Sequence, residues 1–272
     1  MIVVDVINLK NRFFVLISID MKKLNNIVRF LNDYLKINEI KDDSWNGLQF
    51  EGKEEVKRIG FAVDSGLDVV KKATEEKVDM LIVHHGLFWS KSNPSVAYGM
   101  KEKIKKLFDN DISLYASHLP LDMHREIGNN AQLLKLLGAK INGEFVFYEG
   151  KNIGWLGKFV KPVDLGFIEK KINDSFKVKC YVLPFGKRII ETIAVCSGGG
   201  DYKDLQEAID KGVDLFLTGD RSYAYHAAKD FKINVIFAGH YSTETVGVKA
   251  LAEVLKKKFK VETIFIDVPT DL

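Results

Sequence analysis

Three short segments of the chain place side chains that bind metal ions directly after an apolar run. The side chains are His84, His85, His118, Asp122, His240 and Glu244. An apolar run followed at once by a polar residue is typical of a strand whose C-terminal end opens on a site, and open α/β sheets bind ligands at those ends. Six candidate ligands from three strand ends are enough for two ions, so the sequence predicts a dinuclear metal centre.

The adjacent histidines of LIVHH need a change of backbone direction to act together. Neighbouring residues of a strand point to opposite faces. His84 and His85 can therefore face one cavity only where the chain leaves the strand, and Gly86 permits this. On this segment alone, a structural role and a ligand role are equally supported.

The run SHLPLD separates His118 from Asp122 by Pro120. Proline fixes φ and lacks an N–H donor, so this segment is predicted to be a rigid loop rather than a continuing strand. Imidazole and carboxylate together suit zinc, manganese, iron, cobalt or nickel. Asp122 could instead cap the start of the next helix, and it could serve both roles.

His240 and Glu244 are four residues apart, which places them on one face of a helix and within reach of the same ion. Such pairs are common on exposed helices, so the spacing alone is weak evidence. Gly239 directly before the histidine favours a close approach of the backbone. The glycine therefore strengthens the metal-binding interpretation.

For other polar residues near these segments, the sequence gives weaker evidence of a role in the site. Asp220 in LTGD is either a hydrogen-bond acceptor behind the ligands or a helix cap, and the cap is favoured. His226 is expected in the wall of the cavity or behind the ligands, not among them. The run SGGG at residues 197–200 lacks a phosphate-loop ending and predicts a tight turn. The run WNGLQ at 45–49 also predicts a turn.

Composition bounds the class of protein. The 272 residues are 46% hydrophobic and 28% charged, which allows one large domain or two of ordinary size. The net charge of +3 gives no electrostatic case for a dedicated nucleic-acid or membrane-surface protein. Cys180 and Cys196 predict buried thiols in a reducing compartment. No apolar run approaches the roughly 20 residues of a membrane span. We expect a cytoplasmic protein without a membrane partner.

Strand and helix patterns alternate along the chain, which predicts an α/β fold. Residues 73–82 align with 208–217, and each copy is followed by a helix and a strand that ends in His118 or His240. Any two such units look somewhat alike, but the matching order favours duplication. We therefore predict two interlinked α/β domains built from a duplicated βαβ-type unit, with the metal site between them at the C-terminal ends of strands.

The predicted metal-binding domain comprises residues 21–125 together with 235–272, and the second α/β domain comprises 126–234. Residues 1–20 are treated as an N-terminal extension. They lack the continuous apolar stretch and the small-residue cleavage site of a signal peptide. They are either an upstream start of the chain or a strand added to the edge of a sheet.

Taken together, the motifs resemble those of the NIF-three-like family, whose members are commonly named GTP cyclohydrolase I type 2 homologues. The resemblance covers the chain from about Met21 to its end. HHGLFW, SHLPLD and GHxxTE in this order are specific. The matching stretches are NGLQFEG (46–52), AVDSGLDVVKKA (62–73), LIVHHGLFW (81–89), SHLPLD with GNNAQLLKLLG (117–138), LTGD (217–220) and GHYSTETVGVKAL (239–251).

The resemblance implies a two-domain α/β protein that assembles into a ring-shaped homohexamer. It also implies two divalent ions per chain, of zinc, iron, manganese, cobalt or nickel. The implied ligands are His84, His85, Asp122, His240 and Glu244, with His118 as a ligand or close neighbour. Two positions depart from the family pattern: Tyr241 replaces a histidine that often follows the GH pair, and Asp220 stands where glutamate is usual.

Two ions about 3.5–4 Å apart can activate a shared water and hold an oxyanion. The expected function is therefore a metal-dependent hydrolase that acts on a phosphoester or a heterocyclic C–N bond of a small molecule. The sequence shows no purine-reading element, so GTP itself is not predicted. One alternative is a metal-handling protein that stores or delivers ions without catalysis. Another is a ring-shaped module for single-stranded nucleic acid, against which the near-neutral charge counts.

Overall fold

The computed structural model describes residues 4–9, 12–17 and 22–270. Within the predicted N-terminal extension, β1 (Val4–Leu9) and β2 (Arg12–Ile17) pair antiparallel with each other. They form a two-stranded sheet of their own rather than extending the edge of a larger sheet. The rest of the predicted extension, residues 1–3, 10–11 and 18–20, lies outside the described residues.

The remaining elements alternate between strands and helices for most of the chain. The strands are β3 (Gly47–Phe50), β4 (Arg58–Asp64), β5 (Met80–His85), β6 (Ser113–Ala116), β7 (Ala139–Tyr148), β8 (Lys151–Asp164), β9 (Tyr181–Pro184), β10 (Ile189–Cys196), β11 (Leu215–Thr218), β12 (Asn234–Phe237) and β13 (Glu262–Phe265). The helices are α1 (Leu24–Leu35), α2 (Leu67–Glu75), α3 (Tyr98–Asp109), α4 (Leu119–Asp122), α5 (Asn129–Leu137), α6 (Leu165–Phe176), α7 (Tyr202–Asp210), α8 (Tyr225–Asp230) and α9 (His240–Phe259).

The first large sheet has the order β13-β4-β5-β6-β3, with β3 antiparallel to its neighbour and the others parallel. Helix α1 repeats apolar residues at helical spacing and buries Ile27 and Leu31 against this sheet together with Leu251 of α9. Helices α2 and α3 contribute to the second apolar cluster of this sheet, which includes Val70 and Leu107. The last long helix therefore completes a core that the first helix begins.

The second large sheet has the order β7-β8-β10-β11-β12-β9. Strands β10, β11 and β12 are parallel, and antiparallel β8 and β9 flank them. The predicted domain boundary at residue 235 falls inside β12. That strand pairs with β11 and β9, so the chain leaves the second sheet only after Phe237.

The parallel βαβαβ unit from β4 to β6 and the one from β10 to β12 have the same stabilising contact. Asp79 accepts hydrogen bonds from the backbone N–H groups of Lys57 and Arg58 where β4 begins. Asp214, its partner in the sequence alignment, accepts from two backbone N–H groups at residues 191 and 192 of β10. The predicted α/β fold is confirmed, and this shared contact supports the predicted duplication.

The Asp214 contact leads to a pH-dependent prediction. Burial raises the pKa of Asp214, but two backbone N–H donors and the Lys187 ammonium outweigh it and hold that pKa below its usual range. The stabilisation is thus complete above the unfolded value of about 3.9 and is lost as pH falls through the lower folded pKa. We expect Asp214→Asn to lower the free energy of unfolding by about 2 kcal/mol at pH 7.

Urea unfolding from pH 7 to pH 3 measures this effect, and the difference from wild type should shrink below about pH 4. Asp230→Asn is the matched control because Asp230 is exposed at the end of α8. A difference that is constant across this pH range would contradict the prediction.

Two expectations from composition can be compared with the structure. Cys180 and Cys196 are buried free thiols, as predicted. Among the described residues, no helix combines the length and apolarity that crossing a bilayer requires.

Candidate metal centre

Segments that are distant in sequence meet where the strands of the two large sheets end. His84 and His85 are the last residues of β5, and His118 precedes α4, whose last residue is Asp122. His240 begins α9 directly after β12 and Gly239. Because β5, β6 and β12 carry their polar residues at their C-terminal ends, the fold brings these side chains together.

All six predicted side chains lie in one cluster. They form three overlapping groups whose ligand atoms lie within 4.8 Å of one another: His84, His85 and His118; His85, His240 and Glu244; His84, Asp122 and Glu244. The Glu244 carboxylate lies at the centre. Its Oε1 is 3.4 Å from Nε2 of His84 and 3.2 Å from Nε2 of His240, and its Oε2 is 3.3 Å from Nε2 of His85.

Each of the four imidazoles has an oxygen acceptor behind its Nδ1 atom, at 2.8–2.9 Å. The pairs are His84 with the Ser117 carbonyl, His85 with Asp64, His118 with Asp42, and His240 with Asp220. In the neutral imidazole, such an acceptor favours the N–H on Nδ1 and leaves the lone pair on Nε2. This is how proteins orient histidines that bind metal. The four side chains therefore have the orientation that metal-binding histidines commonly have.

Two buried atoms at the centre, Nε2 of His84 and Oε2 of Glu244, form no well-aligned hydrogen bond within the described residues, although ligand-type atoms lie 3.3–3.4 Å from them. Their residues are 0% and 2% exposed. An unpaired buried polar atom is costly, and the cost is far larger for a charged group. A divalent cation coordinated by both atoms would remove that cost. The residues present fit a metal ion.

The cluster also favours positive charge. Burial lowers the pKa of His240, but Glu244 and Asp220 outweigh it and raise that pKa to about 9. Burial likewise lowers the pKa of His84, yet Asp122 and Glu244 raise it well above its usual range. The pKa of Glu244 is held well below its usual range because the nearby imidazoles outweigh its burial. The carboxylates thus stabilise cations here, whether protons or metal ions.

Asp122 is held by two side chains on the side away from His84. Asn129 Nδ2 and Ser197 Oγ donate to its Oδ1 at 2.8 and 3.0 Å, while Oδ2 lies 3.3 Å from His84 Nε2. Asn129 also accepts a hydrogen bond from the backbone N–H of Gly247 in α9. The next helix, α5, is capped by Gly128 and not by Asp122. Asp122 therefore points into the cluster rather than serving as a helix cap.

The predictions for Asp220 and His226 have different outcomes. Asp220 is the acceptor behind His240 and not the cap of α8, which begins after Ala224. The prediction for His226 is wrong. It lies on α8, is exposed, and contacts the rings of Tyr223 and Tyr225 rather than the cluster. A short helix that turns this imidazole to solvent could not be inferred from its place in the sequence.

Sequence reasoning missed Asp64, Asp42 and Gly198. Asp64 ends β4 beside His85, its partner in the strand register, so the strand-end pattern could have identified it. Asp42 lies in a loop 76 positions from His118 and carries no local pattern. Gly198, in the predicted SGGG turn, has a φ of 62°, and its Cα faces Glu244 and His240. The turn thus forms a wall of the cluster.

Tyr241, where the family pattern often has histidine, has a structural role in this chain. Its hydroxyl donates to Asp267 Oδ1 at 2.6 Å and accepts from the Val268 N–H at 3.0 Å. It thereby ties the start of α9 to the segment that follows β13.

The acceptor behind His85 can be tested alone. Asp64→Asn keeps the shape of the side chain but removes its charge, so we expect metal affinity to fall by about 10- to 100-fold. Competition with a chromogenic chelator measures the affinity, and circular dichroism should show an unchanged fold. Asp68→Asn, on an exposed side chain of α2, is the control. Equal affinities for wild type and Asp64→Asn would contradict this role.

Comparison with known proteins identifies the family of the chain. The model of the family Duf34/NIF3 (NGG1p interacting factor 3) matches residues 22–271. The chain is 45% identical over 253 residues to the GTP cyclohydrolase 1 type 2 homolog of Archaeoglobus fulgidus, covering 92% of this chain and 99% of that protein. It is 47% identical over 250 residues to the homolog of Pyrococcus abyssi, covering 90% and 98%.

Solved structures show the same fold. TTHA1606 from Thermus thermophilus is 40% identical with a TM-score of 0.82, covering 92% of this chain and 100% of that one. The protein ybgI, described as of unknown function, is 34% identical with a TM-score of 0.86 and the same coverage. The chain therefore belongs to the Duf34/NIF3 family.

Proposed function

We propose that the chain binds two divalent metal ions in this cluster and uses them to hydrolyse a phosphoester or a heterocyclic C–N bond of a small molecule. The observation that carries the proposal is a pair of buried atoms without a well-aligned hydrogen bond, His84 Nε2 and Glu244 Oε2, inside a ring of ligand-type side chains. When bound, the ions would supply Lewis acidity for hydrolysis. Imidazole and carboxylate ligands suit zinc, iron, manganese, cobalt or nickel.

The overlap of the three groups supports two ions rather than one. His84, His85 and Glu244 each belong to two groups. One oxygen of Glu244 lies near His84 and His240 and the other lies near His85, so Glu244 would help these histidines to hold both ions. His118, at the far side of His84 and His85, is proposed as a ligand of one of them.

The chain's own groups position the ligands and define the open side. Asp42, Asp64 and Asp220 hold three imidazoles. The side chains of His84 and Glu244 are 0% and 3% exposed, whereas those of His85, His118 and His240 are 17%, 20% and 32% exposed. A substrate therefore reaches the centre past the last three side chains, and the buried groups exclude water from the opposite side.

Elemental analysis of protein purified without added metal or chelator is the direct test. We expect about two ions per chain, and wild-type content for the control His226→Ala, which changes an exposed imidazole outside the cluster. Less than about one ion per chain, even after titration with all five metals, would overturn the metal centre.

The loaded protein is then tested with p-nitrophenyl phosphate, bis-p-nitrophenyl phosphate and a purine nucleoside triphosphate. The last probe follows from the names of the relatives. Turnover that chelation abolishes and metal restores supports the hydrolase. Two tightly bound ions without turnover of any of these probes would count against catalysis and leave metal handling as the function.

We also propose that the chain forms a homohexamer. The resemblance of the sequence motifs implies this assembly, and exposed aromatic side chains on and near α8 offer apolar surface for it, with Tyr223 83% and Phe231 58% exposed. Light scattering should give about six times the chain mass of 30.8 kDa. A mass equal to one chain would contradict the proposal.

A further inference from the structure

A cavity of about 550 Å³ lies beside the metal cluster, and three of the nine residues that line it are aromatic. Trp45, Leu48, Phe88, Trp89 and Pro94 supply its apolar surface. The Trp89 ring centroid is 5.9 Å from that of His85 and 5.1 Å from that of His118. One wall of the cavity therefore touches two of the candidate ligands, on the side where the cluster is open.

Backbone hydrogen bonds hold the two segments that carry Trp45 and Trp89. The backbone N–H of Trp45 donates to the backbone carbonyl of Phe88 at 3.0 Å. The backbone N–H of Ser90 donates to the backbone carbonyl of Asp43 at 2.7 Å. These bonds join the segment after α1 to the segment after β5. The neighbouring Asp42 side chain binds His118 and the backbone N–H of Leu119. The cavity and the metal ligands are therefore held by one network.

Most polar side-chain groups around this cavity, the exposed Trp45 indole N–H apart, are already used within the protein. Gln49 accepts from the Leu87 N–H and donates to the Trp45 carbonyl. Asn46 accepts from the His118 N–H, and the Trp89 indole donates to the Gly86 carbonyl. The lining side chains carry no formal charge. What the cavity offers a ligand is therefore ring faces and apolar edges.

Trp45 is the unusual member of this lining, because 65% of its surface is exposed. Its backbone is fixed, yet its indole has little burial to justify a purely structural role. Exposed aromatic surface next to a cavity marks a binding site when a ligand can cover it. An indole face binds planar rings by stacking, with little regard to their hydrogen-bonding groups.

We propose that this cavity holds a planar aromatic or heteroaromatic ring of the substrate, with an anionic group on that ring directed to the metal cluster. The inference rests on the proposed metal-dependent hydrolysis and narrows its substrate to ring-bearing anions. The uncharged cavity suits the ring, whereas the cation-favouring cluster takes the anion once metal is bound. The cavity volume is in the range of small-molecule sites.

The test compares phenylphosphonate with methylphosphonate, which carry the same anionic group and differ in the ring. Calorimetric titration of the metal-loaded full chain should give about tenfold tighter binding of phenylphosphonate. Trp45→Leu should remove that preference and leave methylphosphonate unchanged. Trp45 is chosen because the Trp89 ring lies against the ligands. Phe167→Leu, at an exposed aromatic of α6, should retain the preference.

The outcomes separate the ring site from the metal function. Equal binding of the two phosphonates, or an undiminished preference in Trp45→Leu, overturns the ring site while leaving the metal function standing. If the protein takes up no metal, the proposed function fails, and saturation-transfer NMR of chelator-treated protein with benzamide and acetamide decides about the cavity. Benzamide signals that disappear in Trp45→Leu support it, and their absence in wild type overturns it.

Discussion

Glu244→Gln is expected to reduce the bound metal from about two ions per chain to less than one, with affinity lowered at least about a hundredfold. The carboxylate is 2% exposed and lies within 3.4 Å of Nε2 atoms from three histidines. An amide of the same shape is neutral, and its NH₂ group cannot coordinate a cation. Both proposed ions would thus lose a negatively charged ligand.

Elemental analysis and chelator competition measure this loss, with hydrolytic activity followed on the same samples. Glu253→Gln is the matched control, since it makes the same chemical change on an exposed position of the same helix. It should keep wild-type metal content. If Glu244→Gln retained two ions at wild-type affinity, Glu244 would not be a ligand.

Gly198→Ala is expected to disrupt the site and to destabilise the fold by about 3 kcal/mol or more. The residue has a φ of 62°, which disfavours any side chain. In addition, a Cβ there would overlap Glu244 Oε1 and come within 3.0 Å of His240 Nε2. Glu244 is buried, so its carboxylate has little room to retreat.

Gly212→Ala separates backbone strain from overlap. Gly212 has a φ of 64°, and a Cβ there would meet nothing within 4 Å. Urea unfolding should therefore show only the left-handed conformational cost of about 1–2 kcal/mol for this control, with full metal content. Equal destabilisation and equal metal content in the two variants would show that the contact with Glu244 does not matter.

The site residues that can be predicted from the sequence are those that a local pattern marks. His84, His85, His118 and His240 each come directly after an apolar run. Parallel strands deliver such residues to one edge without any knowledge of side-chain packing. The α/β class follows from the same alternation. Asp64 is the last residue of β4 and follows an apolar run, so the same pattern marks it as a site residue.

The remaining features depend on contacts that no local pattern encodes. Asp42 reaches His118 from a loop whose path is set by the Ser44–Trp89 bridge. The sheet to which β12 belongs is decided by pairing with β9 and β11, so the boundary at residue 235 fell too early. His226 shares the residue type of the ligands but lies on a face turned to solvent.

The five-stranded sheet is built from two parts of the chain, which the strands of the second sheet separate in sequence. This has a consequence for the order in which a growing polypeptide can fold. The second sheet is continuous from residue 139 to residue 237, whereas the first needs α9 and β13 to complete its core and its edge. Domains fold as units during synthesis. The second sheet can thus fold while the first sheet, most of which is synthesised earlier, still lacks α9 and β13. Glu244 is added after every other proposed ligand, so the nascent chain gains its full capacity for metal only after the second sheet is complete.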